Sequence, residues 1–235
     1  MSTHKVKVII TGATGMVGEG VLHQCMENSR IEEILLLSRK PSQVEHPKVR
    51  EIIHQDFYNL SAIESQLLGY DACFFCLGVS SIGMREAQYY KLTHSLTLTA
   101  AETLCKLNPD MSFCYISGAG TDSTEKGRSM WARVKGKTEN DLFELPFKGV
   151  YAFRPGFIKP TKGLKRIHAL YKYMGWMFPI GKAIYPNGFC TMAELGNAMI
   201  TTVVNGYSSK ILEVSDIVNL GRETEYRYNS KPLIA

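Results

Sequence analysis

A chain of 235 residues, 45% hydrophobic and 21% charged, is long enough for one large α/β domain and too apolar for a disordered one. Its net charge of +5 is mild, and the longest basic cluster, Lys162 to Arg166, is broken by Gly163 and Leu164, so no nucleic acid partner is expected. No apolar run reaches membrane-spanning length. No signal peptide precedes the first apolar run, which predicts a reducing cytoplasm and free thiols for the six cysteines.

Short apolar runs alternate with helical patterns along the chain. "VKVII" (6–10) predicts a first strand, followed by a helix from about Met16 to Asn28. "EEILLLS" (32–38) and "VREIIH" (49–54) predict the second and third strands, and "SAIESQLLG" (61–69) a short helix ending at a capping glycine. "DACFFCLG" (71–78) reads as a buried fourth strand. Its Cys73 and Cys76 stand on opposite faces there, as packed thiols rather than a redox or zinc pair. Tyr89, Leu92, Leu96, Ala100, Leu104 and Leu107 make 85–107 an amphipathic helix stopped by Asn108-Pro109. "SFCYISG" (112–118) is the fifth strand, 129–145 the next helix, and "GVYAFRPG" (149–156) the sixth strand. A helix over 191–205 and a late strand in "KILEV" (210–214) follow a segment rich in aromatics, prolines and glycines. The pattern predicts a doubly wound parallel sheet of Rossmann type. Residues 1–160 are expected to form its Rossmann part, and 161–235 a small C-terminal cap integrated with the same domain.

"TGATGMVG" sets Gly12, Gly15 and Gly18 three apart, after a strand and at the head of a helix. This is the arrangement that turns tightly, brings backbone close to a pyrophosphate and packs helix on strand. The helix N-terminus supplies free N–H groups and a positive dipole end. Ser38-Arg39-Lys40 closes the second strand where an acidic residue would repel a 2′-phosphate. A hydroxyl and two cations there predict NADP(H) in preference to NAD(H).

With these motifs in order, residues 5 to about 160 resemble the extended or atypical branch of the short-chain dehydrogenase/reductase superfamily, of the NAD(P)-dependent epimerase-like or NmrA-like kind. "FFCLG", "VKGK" and "FRPG" carry the closer similarity. The resemblance implies that Gly12, Thr14, Gly15, Met16, Val17 and Gly18 hold the pyrophosphate. Ser38, Arg39 and Lys40 would hold the adenosine ribose and its phosphate, and Asp56 and Phe57 would flank the adenine. Leu77 and Gly78 would pass close to the ribose and pyrophosphate, while Pro155, Gly156, Phe157 and Ile158 would border the nicotinamide. It also implies a substrate-binding hydroxyl at Ser117 and a ribose-binding lysine at Lys135. A homodimer through 85–107 and 129–145 would suit the same family.

In that family a tyrosine four residues before the lysine carries the proton, its pKa lowered by the lysine's charge. Here Trp131 fills that position, and an indole N–H does not titrate near neutral pH. Ser117, Thr121, Asp122 and Ser123, with Tyr151 more remote, are the alternative proton carriers. The expectation is an oxidoreductase or epimerase-like enzyme for a small, partly apolar carbonyl or alcohol. The alternative is a regulator that binds NADP(H) without turnover. The six histidines show no metal-ligand spacing and no GxSxG elbow is present. The aromatic stretch over 169–189 is expected to line an apolar pocket or a subunit interface, with peripheral membrane contact the lesser reading.

Overall fold

The computed structural model describes residues 5–161 and 177–229. The β-branched and aromatic runs form β1 (Val6–Thr11), β2 (Ile31–Ser38), β3 (Val49–Ile53), β4 (Ala72–Phe75), β5 (Ser112–Ile116) and β6 (Gly149–Phe153). With β9 (Ile211–Leu212) they make a seven-stranded sheet in the order β3-β2-β1-β4-β5-β6-β9. Every neighbouring pair is parallel. This is the dinucleotide-binding order, whose direction reverses between β1 and β4 and opens a crevice at the carboxyl ends there. The late strand expected in "KILEV" is β9, and it extends the sheet beside β6. The sixth strand stops at Phe153, three residues before Gly156. Pro155 lacks a backbone N–H for the ladder, and the chain turns into β7 (Phe157–Lys159), which pairs in parallel with β8 (Phe189–Thr191).

Alternate residues of each strand enter two separate cores. Val8, Ile10, Leu36, Phe74, Cys114 and Phe153 face α1 (Met16–Glu27) and later helices, whereas Ile9, Leu35, Leu37, Cys73, Phe75 and Phe113 face the opposite side. Both sets are apolar because helices cover both faces. On the second side lies one long helix made of α2 (Glu86–Tyr90), a π-helical turn (Lys91–Ser95) and α3 (Leu96–Leu107), next to α4 (Met130–Phe143). The pattern over 85–107 predicts an unbroken α-helix. The π turn carries an extra residue inside the apolar stripe, and a mix of three- and four-residue spacings hides it. The segment expected as a helix over 61–69 is a 3₁₀ helix, Ser61–Gln66.

After α5 (Met177–Ile184) and β8 come α6 (Met192–Asn205) and α7 (Val214–Asn229). Thr191 and Glu194 close a capping box at the head of α6. Met192, Leu195, Ala198 and Met199 share the first core with Val21, Leu22 and Cys25 of α1. This part of the C-terminal third therefore thickens the helical layer on the α1 face. The stretch 162–176, which holds the basic cluster and much of the aromatic segment, lies outside the described residues. Among those described, no helix is long and apolar enough to cross a membrane.

One polar tie crosses these layers. Glu139 of α4 is 0% exposed and accepts from Arg154, just past β6, through Nε at 3.1 Å and through Nη2. Arg154 also donates to Glu213 at 3.1 Å and to the Ser123 hydroxyl at 2.5 Å. A planar guanidinium with this many acceptors joins α4, β6, the loop after β5 and the start of α7. Removing the carboxylate leaves a buried cation short of its counter-charge. Glu139→Gln is expected to lower unfolding free energy by about 3 kcal/mol in urea denaturation at neutral pH. A loss below about 1 kcal/mol, the scale of an exposed pair, would show that the pair is not effectively buried.

Candidate functional site

The turn joining β1 to α1 is built around Gly12, whose φ is +71°. A Cβ at this position would stand 2.6 Å from the Cys76 carbonyl oxygen, so only glycine fits. At Gly18 a Cβ would overlap the Gly12 carbonyl, which explains the third glycine of the motif. Gly15 donates to Gly12 O at 2.9 Å and forms the N-cap of α1, where no side chain caps the helix. The first-turn amides, those of Met16 and Val17 among them, have no partner within the helix and carry the positive end of its dipole.

Two clefts share Arg39, Gln55 and Leu77, and the larger of them borders this turn. The larger, about 600 Å³, is lined by Gly12, Thr14, Ser38, Arg39, Lys40, Pro41, Gln55 and Leu77. The smaller, about 160 Å³, continues past Arg39, Gln55, Asp56, Phe57, Leu77 and Gly78 toward Leu92 and Leu96. Ser38 is 4% exposed, and its hydroxyl has no partner among the described residues. Arg39 and Lys40 are exposed beside it. Asp56 uses Oδ1 to accept the Tyr58 amide at 2.9 Å, whereas the Phe57 ring sinks into the second core beneath the cleft. Nine residues expected around a dinucleotide, from Gly12 to Gly78, therefore converge on these clefts.

Two features of the clefts escaped the motif reading. Gln55 lines both and donates to the Arg39 carbonyl at 2.5 Å, which fixes the backbone under that cation. Its only signal was its place at the end of the third strand. The π turn brings Leu92 and Leu96 to the smaller cleft, and Tyr58 pins that turn by donating to Lys91 O at 2.6 Å.

A second group stands at the carboxyl end of β5. Ser117 is 6% exposed, and its hydroxyl donates to Phe153 O at 3.1 Å. Lys135, half-buried on α4, donates to Ile116 O at 3.4 Å and to Ser117 O. Burial pulls its pKa down to about 8, with the charge of Glu139 acting in the opposite direction. Trp131 lies one turn earlier, its ring against the Gly118–Gly120 backbone: a Cβ on Gly120 would meet it at 3.7 Å. The loop reaches this position because a Cβ at Gly136 would overlap the Asp122 carbonyl, while the Asp122 amide donates to Ala132 O at 3.1 Å.

The other hydroxyls and acids of this loop serve the loop itself. Thr121 donates to Gly118 O at 2.7 Å, and Ser123 accepts from Arg154. The Thr124 hydroxyl and the Gly127 amide hold the Asp122 carboxyl below its ordinary pKa. Tyr151 is distant from this group; its ring joins the first core and its oxygen accepts the Tyr207 amide at 3.4 Å. Pro155 accepts the Ala119 amide at 2.9 Å, tying the same loop to the end of β6. Beyond Gly156, Ile158 is buried in the first core, and Phe157 joins Phe178 and Phe189 in a ring cluster with centroids 5.6 to 6.3 Å apart.

A family model described as "NAD dependent epimerase/dehydratase family" matches residues 8–127. Protein HTATIP2 of Rattus norvegicus is 24% identical over 229 residues, covering 93% of this chain and 90% of that protein. "Protein FMP52, mitochondrial" of Eremothecium gossypii is 25% identical over 235 residues, covering 93% and 98%. Among solved structures, the Helicobacter pylori ADP-L-glycero-D-manno-heptose-6-epimerase superposes with a TM-score of 0.64 at 16% identity, covering 94% of this chain and 83% of that one. MoeE5, solved with UDP-glucuronic acid and NAD, gives 0.65 at 14% identity, covering 93% and 82%. At these identities the superpositions establish a shared fold.

The Gly136 contact has a direct test. Gly136→Ala forces its methyl into the Asp122 carbonyl and must displace the loop or the helix. It is expected to destabilise the protein by about 2 kcal/mol in denaturant unfolding. An alanine variant as stable as the native protein would show that the loop does not rest on α4.

Proposed function

The chain belongs to the NAD dependent epimerase/dehydratase family, and from that membership we propose that it is an NADP(H)-binding oxidoreductase or epimerase-like enzyme acting on a small, partly apolar carbonyl or alcohol. The observation that carries the cofactor assignment is the larger cleft. The glycine turn, a buried unpartnered Ser38 hydroxyl and the cations Arg39 and Lys40 meet in it. The residues fit the group. Gly15 is exposed, and a Cβ there would meet only the Gly12 carbonyl, at 3.4 Å. Packing within the protein thus sets no strong demand for glycine at this position, whereas a pyrophosphate lying on the backbone does.

In this reading Gly12, Thr14 and the first-turn amides of Met16, Val17 and Gly18 hold the pyrophosphate. Ser38 and Arg39 grip the ribose 2′-phosphate, with Lys40 adding charge. Asp56, Phe57, Leu77 and Gly78 border the adenosine. Lys135 and the Pro155–Ile158 segment stand toward the nicotinamide. Ser117 steadies the end of β5 by its bond to β6. When bound, the nicotinamide supplies or accepts a hydride. The chain's task is to orient the reacting carbon, keep water out and move a proton at the substrate oxygen. The Phe157, Phe178 and Phe189 cluster supports an apolar element in the substrate. Six cysteines without a disulfide suit the reducing cytoplasm that we assign as its compartment.

Trp131 favours a second reading, an NADP(H)-binding regulator without turnover, because it stands where the family's proton-carrying tyrosine would be. NADPH oxidation against a broad carbonyl panel, run beside Trp131→Tyr, separates the two. Native turnover supports the enzyme. Tight binding without native turnover, with activity appearing only in the tyrosine variant, supports the regulator.

Cofactor choice is read by titration calorimetry. Charge-assisted contacts to the extra phosphate predict that NADP(H) binds at least about tenfold more tightly than NAD(H). Arg39→Asp is expected to abolish or reverse that preference. Equal dissociation constants in the native protein would overturn the NADP(H) assignment.

A further inference from the structure

We infer that Lys135 is itself the proton carrier of this site, and that among the described residues no hydroxyl stands between it and the substrate oxygen. The inference rests on the oxidoreductase reading above and names the group that replaces the missing tyrosine.

The first argument is elimination. A general acid must have a proton free to give and must reach the reacting atoms. Trp131 does not titrate in the working range. The Ser117 hydroxyl is committed to Phe153 O, Thr121 to Gly118 O and Thr124 to Asp122. Ser123 and Tyr151 keep their protons but are drawn elsewhere, the Ser123 oxygen onto the Arg154 guanidinium beside Glu139 and Glu213, and the Tyr151 ring into the first core beside Tyr207.

The second argument is the geometry of Lys135. Its Nζ donates to two backbone carbonyls, those of Ile116 and Ser117. An ammonium has three N–H bonds and a neutral amine has two and a lone pair. Both states can therefore keep the two carbonyl anchors, and the remaining position alternates between proton and lone pair. Titration leaves the side chain in place, which is what a group that gives and regains a proton in each turnover requires.

The third argument is the charge around it. Glu139, one turn along α4, would hold the ammonium charged if it were unpaired, but Arg154 claims both of its oxygens. Asp122, on the loop against the helix, is taken up by Thr124 and Gly127. Arg133 and Lys137 on the same helix are paired with Glu86 and Asp141. Burial is left as the dominant influence, and it favours the neutral amine, so the group titrates at about 8.

The step balances. In carbonyl reduction a hydride with its electron pair passes from a reduced nicotinamide to carbon, and the C=O π pair moves to oxygen. One N–H bond of the Lys135 ammonium breaks as the O–H bond forms. The products are the alcohol, the oxidised dinucleotide and a neutral amine, which solvent reprotonates. Alcohol oxidation runs the same step in reverse, with the amine as base. The sign of the pH dependence follows. Reduction needs the protonated form and is lost as pH rises through about 8, whereas oxidation gains over the same interval.

The test uses the full-length protein and two readouts. Side-chain carbon NMR of its lysines, with Lys135→Arg identifying the resonance, measures the titration directly without cofactor or substrate. The expected midpoint is near 8, against about 10.4 for an ordinary lysine. NADPH-dependent reduction of a carbonyl from the panel measures the step. Lys135→Arg keeps a cation that never deprotonates and is expected to lose at least about 100-fold in turnover. Lys135→Met supplies the assignment and the rate loss if the arginine does not fold. A midpoint near the ordinary lysine value, or turnover that survives in either variant, overturns this inference alone. A native protein that binds the dinucleotide and reduces nothing overturns the oxidoreductase reading and this inference together.

Discussion

No side chain fits between the Asp122 carbonyl and α4 at Gly136, and the arrangement of the β5 end follows from that close approach. The loop after β5 is laid directly on the helix. Its earlier residues, Gly118 to Gly120, then pass under the Trp131 ring, and the Ser117 carbonyl is delivered to Lys135. The bond from Ala119 to Pro155 and the grip of Arg154 on Ser123 hold the same loop from the β6 side. Loop, helix and strand end are therefore one unit, and a shift of any of them moves the lysine.

The site has two halves made by different means. Around β1 and β4 it is mostly backbone: a positive φ, a carbonyl that leaves no space for a Cβ, and amides at a helix start. Such a half is preformed and recognises phosphate with little dependence on side-chain rotamers. Around β5 it is made of side chains whose partners are largely settled within the fold. The buried Arg154–Glu139 pair cancels its own charge close to Lys135. This leaves the lysine in a dry setting without a counter-ion of its own, so its protonation responds to burial more than to any single neighbour.

The chemistry-bearing turn was legible in the sequence because three glycines, an apolar strand and a helix start coincide within a dozen residues. Strand identities were equally plain, since a sheet covered on both faces writes continuous apolar runs. Less could be read where a residue's role depends on direction. Ser117 marks the end of the fifth strand in the sequence, but nothing in its spacing says that its hydroxyl turns to Phe153 O. Glu139 reads as one more charge on a solvated helix face, because its partner Arg154 is fifteen positions away on another element. The π turn was masked for a different reason: Tyr89, Leu92 and Leu96 are spaced as an ordinary helix would space them, and a single added residue leaves that record unchanged.

The cysteines acquire a use that has nothing to do with catalysis. Cys73 lies in one core and Cys25, Cys114 and Cys190 in the other, all at 0% exposure. Burial raises every one of these thiols, Cys190 to about 12. None presents a thiolate to an alkylating reagent while the layers stay closed. The rate at which each reacts is then a clock for the opening of its own side of the sheet. The chain thus carries, without any introduced probe, separate reporters for the α1–α6 layer and for the α3–α4 layer.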